Sequence, residues 1–120
     1  MSDDQFLMLL EMLYNNLEDV RFAAIVSREG LIVHSILEGG VSDISLAAMT
    51  ATLLSLGQTA LAELRSGNLE VLILQGDEGN FVIMEAGVDL IIAVCIDIDA
   101  RMDTCFVEMR KIAEKIKQIT

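Results

Sequence analysis

Residues 45–64 read SLAAMTATLLSLGQTALAEL, and no charged side chain occurs from Ile44 through Ala62 in a chain otherwise rich in acid. The stretch nears the ~20 residues that a membrane span requires. Ser45, Thr50, Thr52, Ser55, Gln58 and Thr59 are too many polar groups for a span, no Trp or Tyr flanks it, and the nearest cation, Arg65, stands alone. A soluble helix is the better reading. At ~100° per residue, Leu46, Met49, Leu53, Leu56, Ala60 and Leu64 share one face, the expected core stripe. A second stripe runs Thr50, Leu54, Gly57, Leu61. The far side holds Ala47, Ala51, Ser55, Gln58 and Ala62, all small or uncharged. A helix on the outside of a monomer carries charge on its far face, and so short a chain rarely buries a helix on every side. The expectation is therefore that another chain covers this helix.

With 120 residues the chain has room for one core, so a single domain over 1–120 is expected. A composition 53% hydrophobic without proline excludes disorder. A formal charge of −11 argues against nucleic acid, whose phosphates need a basic patch, and against an anionic membrane surface. The first residues, MSDD, lack the basic and apolar regions of a secretion signal, and neither end offers a lipidation site, so a cytoplasmic chain without direct membrane insertion is expected. Cys95 and Cys105 form no CxxC pair and read as two reduced, buried thiols.

Working outward, Ser2 to Gln5 fits a capping box that opens a first helix. Phe6, Leu9, Leu10, Leu13 and Leu17 supply its apolar face, with Met8 and Met12 read as packing filler. Phe22 to Val26 and Leu31 to Leu37, joined by Ser27-Arg28-Glu29-Gly30, read as a hairpin. After Glu38-Gly39-Gly40, Asp43 is the expected cap of the central helix, which ends at Ser66-Gly67-Asn68. Leu69 to Gln75, Phe81 to Ala86 and Leu90 to Asp97 read as three strands, the last apolar enough to be central and covered on both faces. Asp99 is the expected cap of a last helix, whose apolar face is Met102, Phe106, Met109, Ile112 or Ala113, and Ile116. The order α-β-β-α-β-β-β-α describes an α+β domain: a five-stranded antiparallel sheet with helices one and three on one face and the central helix on the other.

Chemistry is sparse. There is no GxxxxGK[ST] phosphate loop, and Gly76 and Gly79 sit between strands, not before a helix. His34, the only histidine, lies inside the hairpin and has no zinc-ligand neighbours in sequence. Asp97, Asp99 and Asp103 lack calcium-loop spacing and read as helix-start acids. Arg21, Arg28, Arg65, Arg101 and Arg110 are scattered, without the glycine-rich loop an arginine finger needs. No catalytic, metal or cofactor site is expected.

The strings AAIVSREGLIVHS, ISLAAMTATLLSLGQTALAEL, LEVLILQGDEGNFVIMEAGVDLIIAVCID and MRKIAEKI, in that order and spacing, resemble the Roadblock/dynein light chain family over nearly the whole chain. The chain is most similar to compact prokaryotic members of the mutual-gliding-protein-B type, which regulate Ras-like GTPases. The resemblance implies a Roadblock-like (profilin-like) fold and a homodimer in which the strand after the central helix pairs with its copy, making a continuous ten-stranded sheet. On that basis the dimer strand is Leu69, Glu70, Val71, Leu72, Ile73, Leu74 and Gln75, and the helix seam is Thr50, Leu54, Gly57 and Leu61. A GTPase would dock on Ala47, Ala51, Ser55, Gln58 and Ala62. The implied function is a scaffold or regulator of a small Ras-like GTPase, non-catalytic itself but able to act as a GTPase activator. The alternative is a structural light chain or assembly subunit with no nucleotide-linked role.

Overall fold

The structure, a computed structural model, describes residues 3–37 and 39–120. Its elements are α1 (Asp3–Asn16), β1 (Val20–Ser27), β2 (Ile32–Ile36), α2 (Asp43–Glu63), β3 (Leu72–Gln75), β4 (Gly79–Ala86), β5 (Leu90–Asp97) and α3 (Met102–Ile119). The five strands form one antiparallel sheet in the order β2-β1-β5-β4-β3. β5 is the middle strand, with Ile91, Ile92, Ala93 and Val94 fully buried. The run LIIAVCID thus serves two cores at once, and each large side chain removed from water there contributes about 1.5–3 kcal/mol.

Alternation along the strands sends Ile25, Val82, Met84, Ile92 and Val94 to one face, where α1 and α3 cover them with Leu10, Leu13, Met109 and Ile116. Phe22, Ala24, Val26, Ile83 and Ile91 point to the other face and meet α2. That face is less fully covered: α2 packs on β1, β2 and β5, and Phe81 and Cys95, on β4 and β5, are only half-buried.

Several sequence expectations shift at element ends. The first capping residue, Ser2, and the break residue Glu38 lie outside the described residues. Ser42, not Asp43, caps α2: its hydroxyl accepts from the Ser45 amide at 3.3 Å, while Asp43 is already helical. Asp99 does not cap α3. The cap position is Arg101, with no capping side-chain bond, while Arg101 and Asp103 pair at 2.8 Å. The strand expected from Leu69 begins only at Leu72, because Leu69 packs toward α2 while Val71 packs against the opposite core, ahead of the ladder with β4. Cys105 is buried, as expected; Cys95 is half-buried.

Candidate functional site

α2 is long and apolar enough to cross a membrane by length and composition. Its side chains are instead divided between the chain's own sheet and the outside. Leu46, Ala47, Thr50 and Leu54 are buried. One turn further on, Gly57 sits over β3 and the segment before it: a Cβ there would stand 2.9 Å from Leu69 Cδ1 and 3.2 Å from Leu72 Cδ1. The sheet-facing stripe is therefore Leu46, Thr50, Leu54, Gly57 and, half-buried, Leu61. Its small members let the helix lie close to the strands.

This reverses the expected assignment of the two stripes except at Leu46, which is buried as expected. Thr50 and Leu54, expected at a seam between two helices, are 0% and 2% exposed within one chain and have no surface left for a partner. Met49, Leu56 and Leu64, expected in the core, are 54%, 62% and 71% exposed. Ala60 is exposed beside them and Leu53 is half-buried. A helix with two apolar stripes and no charge leaves the choice undecided by hydrophobicity alone. The small residues Ala47, Thr50 and Gly57 were the available signal, since they sit on the side where a sheet approaches.

β3 lies at one edge of the sheet, next to α2's C-terminal half. Among the described residues its outer edge pairs with no strand, and Ile73 and Leu74 are 40% and 46% exposed. Leu72 is half-buried and Gln75 exposed. An apolar edge with open amides and carbonyls is a template for another strand. The exposed α2 stripe and this edge are both apolar and uncharged.

The five positions expected to receive a GTPase separate. Ala47 is buried and unavailable. Ala51 is half-buried and faces the β1–β2 turn, where Gly30, at φ +86°, brings the backbone against the helix; a Cβ on Gly30 would lie 3.8 Å from Ala51 Cβ. Gln58 donates its side-chain amide to Glu85, and Glu85 also takes an ion pair from Arg28 at 2.7 Å. Arg28 in turn donates to the Val88 carbonyl. One carboxylate on β4 thus ties α2 to both adjacent turns. Ser55 and Ala62 are exposed.

Among the described residues, no group of three or more His, Cys, Asp or Glu is placed to hold a metal ion. Arg21 is engaged with Asp97 and donates to the Glu78 carbonyl at 2.7 Å. Burial pushes the Cys95 thiol up, and pushes Cys105 to about 11, so neither is an activated nucleophile.

The sequence pattern of the Roadblock/LC7 domain matches residues 7–95. The chain belongs to the Roadblock/LC7 family. A relative described as an uncharacterized protein of Methanocaldococcus jannaschii is 29% identical over 91% of this chain and 93% of its own length. Among solved structures, a Roadblock/LC7 domain from Streptomyces avermitilis superposes with a TM-score of 0.86 at 20% identity, covering 93% of this chain and 94% of that one. The gliding protein mglB from Thermus thermophilus superposes at 0.84 and 17% identity, covering 97% and 88%. The same architecture extends to profilin II of Acanthamoeba castellanii, at 0.60 and 14% identity over 92% and 98%. The Roadblock fold therefore accounts for the element order, the sheet order and the placement of α2 alone on one face.

Proposed function

We propose that this Roadblock chain acts as a homodimer that binds a small Ras-like GTPase and modulates its activity or location, without being an enzyme. The observation that carries the reading is the exposed α2 stripe of Met49, Leu56 and Leu64 beside the open edge of β3. Two chains meeting edge to edge through β3 form a ten-stranded sheet and bring two such stripes toward each other. The partner's helix then covers the half-buried Phe81 and Cys95. This moves the helix seam from Thr50, Leu54, Gly57 and Leu61 to Met49, Leu53, Leu56 and Ala60.

With that seam closed, Ser55 and Ala62, flanked by half-buried Ala51 and Gln58, remain on an uncharged outer face. Its small side chains make a flat platform that a globular partner approaches closely. The acidic surround, at a net charge of −11, sets orientation and on-rate more than affinity. Family membership, together with the resemblance of the quoted strings to members of the gliding-protein-B type, favours a GTPase as that partner. The test is affinity capture from native extract with a GTP analogue or GDP added separately, followed by titration of the captured GTPase. Binding that differs at least ten-fold between the nucleotide states is expected. Equal affinity in both states, or no GTPase captured, overturns the reading in favour of an assembly subunit.

A further inference from the structure

Apolar contact is non-directional, so the small buried residues that seat α2 on the sheet resist sliding along its axis only weakly. Thr50, the polar member of that buried set, has no hydrogen-bond partner for its hydroxyl and fixes no register. A hydrogen bond, with its set distance and angle, does fix one. The side-chain amide of Gln58 supplies it by donating to Glu85 on β4. The same carboxylate holds Arg28 at 2.7 Å. Arg28 belongs to the β1–β2 turn; its side chain donates to the Val88 carbonyl, and its backbone amide to the Asp89 carbonyl at 3.0 Å. That turn meets α2 a second time, where a Cβ on Gly30 would lie 3.5 Å from Ala48 Cα and 3.8 Å from Ala51 Cβ. α2 is thus gripped beside Ala51 and at Gln58, about two turns apart, and Glu85 stands behind both grips.

The two exposed residues of the docking face lie against these grips. Ser55 stands between them and shares a shallow cleft with Arg28 and Gly30. Ala62, one turn beyond Gln58, shares another with Gln58 and Glu85 itself. We propose that Glu85 is a positioning residue for GTPase recognition, holding the outer face of α2 in the register at which Ser55 and Ala62 meet the partner. The role rests on the function proposed above and deepens it. Gln58 then acts through Glu85 and not by touching the GTPase. A flat face of small side chains makes its contacts only at close range, and a helix that must first be ordered gives up part of its affinity on binding. Loss of Glu85 therefore weakens recognition without removing any atom of the interface.

Glu85→Ala, Gln58→Ala and the double variant test this by calorimetric titration of the captured GTPase, with hydrogen exchange of the free chain as a readout that needs no partner. Each single variant is expected to bind at least ten-fold more weakly. The double variant is expected to stay within about three-fold of Glu85→Ala, because two residues acting through one tie are not additive. Glu85→Gln, whose amide oxygen still accepts from Gln58 and Arg28, is expected to return to within about three-fold of wild type. In the free chain, α2 amides from 55 to 62 are expected to exchange at least ten-fold faster in Glu85→Ala, while those of β5 stay unchanged. Unchanged exchange in α2, wild-type affinity of Glu85→Ala, multiplied losses in the double variant, or failure of Glu85→Gln to recover each overturns the role. A wild-type chain that binds no GTPase in either nucleotide state overturns the function beneath it instead, and is told apart because the exchange difference persists.

Discussion

A Cβ added at Gly57 would stand 2.9 Å from Leu69 Cδ1, so the helix and the segment leading into β3 approach closely at this glycine. Glycine inside a helix costs about 1 kcal/mol relative to alanine, and this close approach is what offsets it. The colliding atoms are the ends of two flexible leucines, so Gly57→Ala is expected to stay within about 1 kcal/mol of wild type, its propensity gain set against a small displacement. Gly57→Leu cannot be accommodated by rotamer changes alone and is expected to destabilise the folded chain by about 1–3 kcal/mol, as overpacked cores do. Denaturant unfolding of both variants measures the difference. Equal stability of Gly57→Leu and wild type contradicts the packing.

The sequence was informative about order and poor about facing. Element order, antiparallel pairing and the central place of β5 followed from alternation and turn chemistry, because LIIAVCID has no polar side to leave in water. The direction in which α2 faces did not follow. Its apolar residues form two stripes separated by about a quarter turn, and without charge on either side the larger residues look like core. The sheet instead took the smaller stripe through Thr50, Leu54 and Gly57, because a helix lying flat on strands approaches them closely. Caps missed by one or two residues for a local reason: Ser42 and Asp43 are both good caps, and only the observed bond from the Ser45 amide separates them. Met8 and Met12 looked like filler, yet they lie exposed on α1 beside Lys115 and Ile119 of α3.

Pairing through β3 makes a direct prediction at Leu74, which is 46% exposed on the unpaired edge strand. A lysine at such a position is how natural sheets block edge-to-edge association. Leu74→Lys is expected to raise the dissociation constant of the two-chain species at least ten-fold while the circular dichroism spectrum stays that of the wild type. An unchanged dissociation constant in analytical ultracentrifugation moves the interface away from this edge.

Cys105 supplies a pH signature. Burial alone raises its thiol to about 11, against about 8.5 for a free thiol. The unfolded chain therefore loses this proton first as pH rises, so between about pH 9 and 11 the unfolded state binds fewer protons and stability falls with pH. The slope approaches about 1.4 kcal/mol per pH unit, and the contribution is fully present below pH 8. Urea titrations of wild type and Cys105→Ala at pH 7, 9 and 10 isolate it from other groups that ionise there. The wild type is expected to lose more stability than the variant on going from pH 7 to 10. Parallel losses contradict a neutral, buried thiol.

The docking face is best tested at Ser55 and Ala62. Both are exposed on the outer side of α2. Ala47 is buried, and Ala51 lies against the Gly30 turn, so a large side chain at either one disturbs the fold before it disturbs a partner. Gln58 is held by Glu85, which also carries Arg28, and its replacement loosens two turns at once. Ser55→Arg with Ala62→Arg changes only the outer surface: two long cations where a flat, uncharged face is needed for close approach. The double variant is expected to keep wild-type sedimentation and melting, since surface substitutions of this kind fall within about 0.5 kcal/mol. Its affinity for the captured GTPase is expected to drop at least a hundred-fold, a loss of about 2.7 kcal/mol. Calorimetric titration reads that drop directly. Wild-type affinity in the double variant removes this face of α2 from the interface and leaves the sheet edge or the α1/α3 side as the place where a GTPase would bind.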